Sequence, residues 1–389
     1  MRKLLLYIFL LALPTGLFAD NDTQHLQEQL DLLLSHQTAH IKRKNETINR
    51  IKKGLLTEEK TLKRLQTYDL LYQEYYVFQF DSAMTYLDKG IDLAKETANT
   101  YYYNSNVIHK AELLSIGGLY SEAIETISLV DTTALDRTQK FDFYLSLFRI
   151  HTYWADFCND HTYTPAHREK AKQALIKAMD YCDETAKTYE YYYGEYCVFV
   201  LNDPKKARSH YLKATSLLPT DSRFYAMACF ALSGSYANEG RTDQQERFLL
   251  LSSIADAENC TMENYALQTL AMYIFEHDKN RIDRAQEYIQ KSLEDARFYN
   301  NRLRIIEISN KLPVIVNSYQ QTLNTRNRVQ MIAIIAISLL LIFLLVAITY
   351  IVKQTKRLRL QQRELQKNND RLSELNTRQK GLNTQLHKL

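Results

Sequence analysis

Glycine and proline are both scarce, with 9 and 5 copies in 389 residues. These residues punctuate sheets and tight turns. Their scarcity argues against a strand-rich sandwich or barrel and for long helices joined by short connections. Tryptophan occurs once and cysteine five times, at 158, 182, 197, 229 and 260. The cysteine count is odd and no CxxC pair is present, so a disulfide scaffold or zinc ribbon is not expected. A single Cys182–Cys197 bridge across a helix turn is the one disulfide that the spacing allows; otherwise the thiols read as small buried hydrophobes.

Recognisable catalytic motifs are also missing. The chain has no P-loop, no GxSxG and no dinucleotide fingerprint. His36 and His40 lie four apart, but the glutamate of an HExxH motif is absent and no third ligand follows. Cys158 and His161 show no pairing that would activate a nucleophile. His387 is followed only by Lys388 and Leu389, which leaves no room for a phosphoacceptor helix. No enzyme activity, metal or cofactor is expected.

Tyrosine is abundant, with 28 copies. Its ring packs while its hydroxyl stays near water, which suits thin helical arrays with half-buried positions. The runs Tyr101–Tyr103 and Tyr191–Tyr193 are read mainly as packing residues, because adjacent side chains on a helix diverge. No binding residue is singled out.

Two apolar runs stand out. Met1-Arg2-Lys3 precedes the run Leu4 to Leu13, and Leu17-Phe18-Ala19 precedes Asp20. This pattern predicts a secretory signal over 1–19, cleaved after Ala19, with an uncleaved anchor as the alternative. Val329 to Val352 carries no charge. At about 1.5 Å per residue it is long enough to cross a bilayer. Lys353, Lys356, Arg357 and Arg359 follow it, against Arg326 and Arg328 before it. The larger basic cluster places the C-terminus in the cytoplasm. Residues 20–328 are then outside, at the bacterial cytoplasmic membrane, which agrees with the export signal.

Between the runs, small and apolar residues recur. Val107, Ala111, Leu114, Gly118, Tyr120, Ala123, Ile127 and Val130 follow tetratricopeptide (TPR) spacing. Ala207, Tyr211, Ala214 and Pro219 repeat the second half of the pattern. Cys229, Leu232, Tyr236 and Gly240 repeat the first half. The Ala123 position recurs at Ala83, Ala171, Ala207, Gln245 and Ala285, in steps of 36 to 48 residues. That predicts an all-α fold, with about six TPR-like hairpins over 67–300 stacked as a solenoid. An irregular helical bundle is the alternative. Residues 301–328, with Ile305, Ile306, Ile308, Leu312, Ile315 and Tyr319, read as a membrane-proximal cap. Residues 20–66 carry Leu34, Ile41, Ile48 and Leu55 at seven-residue spacing. They read either as a long helix or short coiled coil, or as an N-terminal cap.

The tail, 353–389, holds ten Lys/Arg and three Asp/Glu. Leu358, Leu365, Leu372 and Leu386 share one heptad position, and Leu375 and Leu382 lie three residues after it. These six form the seam of an expected parallel coiled coil and so of a homodimer. Gln361, Asn368 and Gln379 weaken the seam and set its register. The alternative is a helix lying on the anionic leaflet. Direct nucleic-acid binding is not expected.

The run Tyr72 to Tyr86, after the helical stretch Ile48 to Leu65, resembles a family of bacterial TPR-fused single-pass membrane regulators. The likeness extends over nearly the whole chain: signal peptide, N-terminal helix, TPR-like region, one span and a cytoplasmic coiled coil. It implies a transmembrane regulator whose outer domain binds a protein, peptide or glycan. The family's last region resembles a helix-turn-helix output, which has no counterpart before Leu389. A membrane-anchored scaffold for an envelope complex is the competing expectation.

Overall fold

The computed structural model describes residues 16–386. The stretch 1–15, with most of the expected export signal, and residues 387–389, with His387, lie outside the described residues. The chain divides into two units, Met1–Tyr319 and Gln320–Leu389. Among the described residues every regular element is helical.

Among the described residues the first unit starts with two helices, α1 (Gly16–Ser35) and α2 (Gln37–Leu56). Six hairpins follow. They are α3 (Thr61–Tyr75) with α4 (Phe80–Glu96), α5 (Thr100–Ile116) with α6 (Tyr120–Ile127), and α7 (Arg137–Cys158) with α8 (Thr164–Tyr181). Then come α9 (Tyr189–Phe199) with α10 (Pro204–Leu217), α11 (Arg223–Ala237) with α12 (Thr242–Glu258), and α13 (Ala266–His277) with α14 (Ile282–Tyr299). The last helix, α15 (Arg302–Leu386), contributes its first part to this unit.

Local chemistry sets these boundaries. Asp136 and Gln139 form a reciprocal capping box at the start of α7. Asp203 caps α10, with Pro204 in its first turn. Gly118 and Gly240, at φ +81° and +69°, turn the chain between α5 and α6 and between α11 and α12. A left-handed turn residue without a Cβ costs little there.

The recurring small position explains the stacking. Ala83, Ala123, Ala171, Ala207 and Ala285 are each buried, on the second helix of a hairpin. A methyl group there lets paired helices approach closely. At Gly194 in α9 even a methyl is too large, because a Cβ would lie 2.5 Å from the Tyr211 ring of α10. In the fifth hairpin Gln245 takes this position and is only half-buried. The all-α, TPR-like solenoid expected from the spacing is the observed fold.

The solenoid closes on itself. Ile48 of α2 joins a core with Tyr68, Leu71 and Tyr72 of the first hairpin and with Cys260, Met262 and Tyr299 of the last ones. Met262 donates its backbone N–H to the Val77 carbonyl at 2.8 Å, and the Tyr299 hydroxyl donates to the Tyr76 carbonyl at 2.8 Å. Leu30 of α1 is buried with Leu249, Ile274 and Tyr288. Asp31 accepts from the Tyr288 hydroxyl and pairs with Arg284 at 3.1 Å. Gln37 donates to Asp295 at 3.2 Å. Of the heptad residues, Leu34 packs on the final hairpins, whereas Ile41, Ile48 and Leu55 pack in the core that the first hairpins share with Cys260, Met262 and Tyr299. Ile308 and Ile315 of α15 are fully buried in the same core, whereas Ile306 is exposed.

All five cysteines are free thiols, so the Cys182–Cys197 bridge is absent. Cys182 caps α8 and Cys197 lies inside α9, and both thiols are buried in one shared core.

In the second unit, residues 320–386 are helical throughout. One window of this helix has a mean hydropathy of 3.3, which makes it long and apolar enough to cross a membrane.

Candidate functional site

The first unit holds a cavity of about 460 Å³, lined by residues between Tyr153 and Arg304. That volume lies within the range of small-ligand sites. First helices of the hairpins supply most of its wall: Tyr153 of α7, Tyr191 and Glu195 of α9, Arg223 and Phe230 of α11. Asp256 of α12, Tyr265, and Arg304 of α15 complete it. The mixture of aromatic faces and a few polar groups is the usual chemistry of a recognition pocket.

A buried ionic network stands beside this wall. Glu112 of α5 pairs with Arg149 of α7, accepts from the Tyr76 hydroxyl, and accepts from Ser146 Oγ at 3.2 Å. Burial opposes ionisation of Glu112, but Arg149 and the Tyr76 hydroxyl outweigh it and hold the carboxyl below its ordinary range. The Arg223 guanidinium lies over the Tyr76 ring, 4.6 Å from its centroid. Arg304 pairs with Glu263 at 3.3 Å and with Glu307 at 2.8 Å, and covers the Tyr265 ring at 4.0 Å.

Two carboxyl groups in the wall are pushed the other way. Burial raises Asp256 to about 8, against the opposing pull of Arg223. Burial also raises Glu195, which accepts from the Tyr211 hydroxyl. At neutral pH Asp256 is therefore mostly a carboxylic acid and a hydrogen-bond donor.

Gly234 lines the cavity from within α11, and a Cβ added there would meet nothing within 4 Å. Gly in a helix interior costs about 0.5–1 kcal/mol relative to Ala. Here it coincides with open space rather than with a tight helix contact.

A second cleft, between α6, α7 and α8, contains His151 and His167 with their Nδ1 atoms 3.1 Å apart. His167 stacks on Trp154 at 4.3 Å. Burial, with the second imidazole and Lys170, pushes His151 down to about 4. Two neutral rings sharing one proton fit this geometry, and Lys170 disfavours a cation beside them.

The positions singled out from sequence lie elsewhere. His36 is exposed and His40 half-buried. Tyr191 and Tyr192 are buried, and Tyr101 is exposed. Leu358, Leu365, Leu372, Leu375 and Leu382 are exposed on α15, and Leu386 is its last residue. None of them borders the cavity except Tyr191. Among the cavity residues, Glu195 carries a sequence signal, a charge set between aromatic residues of α9.

No curated protein matches the chain. Among solved structures, a thermophilic TPR protein of Thermus thermophilus aligns at 15% identity and a TM-score of 0.35, over 66% of this chain and 99% of that one. BtubC of P. vanneervenii aligns at 10% identity and a TM-score of 0.33, over 62% and 92%. The family described as the SusR N-terminal TPR domain matches residues 34–310, which spans the six hairpins and the start of α15. The chain belongs to the SusR N-terminal TPR domain family.

Proposed function

We propose that the chain is a single-pass membrane sensor and regulator, not an enzyme. Its closed TPR-like ring binds a peptide, protein segment or glycan in the central cavity, outside the cytoplasm. Residues 329–352 span the cytoplasmic membrane, and residues 353–389 carry the response inside. The observation that carries this reading is the cavity, a concave site of ligand size lined by aromatic rings and a few buried polar groups. The membrane assignment is supported by large apolar side chains, from Val329 to Val352, that stay exposed along the helix. The basic cluster after the span supports the orientation.

Plugging the cavity tests the reading. Gly234→Trp should fill open space without straining α11. The variant should reach the membrane and melt no lower than the parent. Cells carrying it as the sole copy should show the transcript profile of cells lacking the chain. A parental profile from a folded, plugged variant would remove the cavity from sensing. Exchange of residues 353–389 for an unrelated tail separates this reading from a membrane-anchored scaffold. A sensor loses its response with that exchange, whereas a scaffold keeps its function.

The tail is proposed to pair in parallel through the seam Leu358, Leu365, Leu372, Leu375, Leu382 and Leu386. Heptad leucines that stay exposed on a lone helix need a partner face, and an identical helix supplies one in register. Leu372→Cys should give disulfide dimers in isolated membranes under oxidation. Monomer alone on a non-reducing gel would speak for a helix lying on the leaflet instead.

A further inference from the structure

We propose that the ligand of the central cavity carries a carboxylate, and that Arg223 holds it. The proposal rests on the cavity being the binding site. Charge accounting around the wall leads to it. Asp156 is paired with Arg168 at the surface. Glu263 is paired with Arg304 at 3.3 Å. Glu195 takes the Tyr211 hydroxyl, and Asp256 is mostly uncharged at neutral pH. Arg149, behind the wall, is paired with Glu112.

Arg223 has no hydrogen-bonded anionic partner, and Glu263 supports its charge only at longer range. The Arg223 Nη1 is buried with no hydrogen-bond partner, and no ion pair engages the guanidinium among the described residues. An arginine does not shed its proton on burial. A buried, unpaired charge is costly, and a bound anion offsets that cost. The Tyr76 ring covers one face of the guanidinium. The planar edge of N–H donors is what a carboxylate matches with two parallel hydrogen bonds. Asp256, as the acid, adds a further donor nearby. The same wall holds Glu195 and Glu263, whose carboxyl groups oppose a doubly charged phosphate more strongly than a single negative charge. Tyr153, Tyr191 and Phe230 supply aromatic faces for the rest of the ligand.

A carboxylate of this kind comes from a sugar acid or from a peptide C-terminus. Calorimetry on the full chain in detergent at pH 7 separates the two. Four probes suffice: glucuronate against methyl glucoside, and the dipeptide Tyr-Tyr against its C-terminal amide. In at least one pair the acid should bind about tenfold or more tightly than its neutral partner, equivalent to about 1.4 kcal/mol. The pair that discriminates names the source. Arg223→Gln should reduce the preference to about twofold or less, and Gly234→Trp should abolish binding of the acid. If Arg223→Gln fails to fold, the comparison of acid and neutral probes on the parent chain still decides.

Equal binding of acid and neutral probes overturns the carboxylate proposal and leaves the cavity as the site. Preference for the acid that survives in folded Arg223→Gln overturns it as well, as does failure of all four probes to bind. Binding of the acid that persists in the plugged variant overturns the cavity reading itself.

Discussion

Glu112→Ala is expected to destabilise the chain by about 3–5 kcal/mol, the typical cost of stranding one member of a buried ion pair. Glu112 lies on α5 and its partner Arg149 on α7, so the pair ties two hairpins together on the concave side. The Tyr76 hydroxyl and Ser146 Oγ also lose their acceptor. A guanidinium without its carboxylate has nowhere to go, because burial already opposes its charge and Glu112 is what offsets it. Thermal or denaturant unfolding of the variant in detergent measures the loss. The double variant Glu112→Leu/Arg149→Met should be less damaging than Glu112→Ala, because it removes both charges. A loss below about 1 kcal/mol would mean that water satisfies the arginine and that the pair is not a structural tie.

The second large effect has the opposite sign. Asp256→Asn is expected to raise stability, and to raise it more as the pH rises. Burial lifts the Asp256 carboxyl from its ordinary 3.8 to about 8, with Arg223 and the Thr261 side chain opposing and Glu263 assisting. A carboxyl whose folded value is raised is bound to its proton in the native state over a range where the unfolded chain has lost it. Its contribution is therefore fully favourable below about pH 4 and is lost progressively up to about pH 8. Each unit of displacement is worth about 1.4 kcal/mol, so the full effect amounts to several kcal/mol. Asparagine copies the shape of the protonated acid without the ionisation. Melting temperatures of the two proteins should coincide near pH 4, diverge steadily to about pH 8 and stay apart by a constant amount above it. Parallel curves across that range would show that Asp256 ionises freely. Keeping an acid at such cost is what a binding cavity does when it needs a donor there, and a stabilised variant with impaired binding would express that trade.

Much of the architecture was legible beforehand, because it follows from local periodicity. The recurrence of Ala83, Ala123, Ala171, Ala207 and Ala285 marks the crossing point of each hairpin, and all five are buried where expected. Gly118 and Gly240 mark two of the turns. Ile308 and Ile315, in the apolar segment after the last hairpin, are buried. The role of residues 20–66 was not legible. A seven-residue spacing is satisfied by a partner helix or by a neighbouring hairpin, and only the partner distinguishes them. Here Leu30 finds its partners more than 200 residues away in the chain, and Ile48 finds partners both in the first hairpin and beyond Cys260.

The sequence by itself determined the helical content, the six hairpins, the apolar stretch and the heptad leucines, because each depends on residues a turn or a few turns apart. Only the tertiary structure decided that the solenoid closes on itself, that Arg223, Asp256 and Arg304 line one cavity, and that Tyr76 packs against Arg223 behind it while Glu112 pairs with Arg149. Glu112 and Arg149, and Tyr76 and Arg223, meet across long stretches of chain, and no local pattern pairs them. Burial fixes their charges and pairings, and burial is a property of the closed ring rather than of any segment within it.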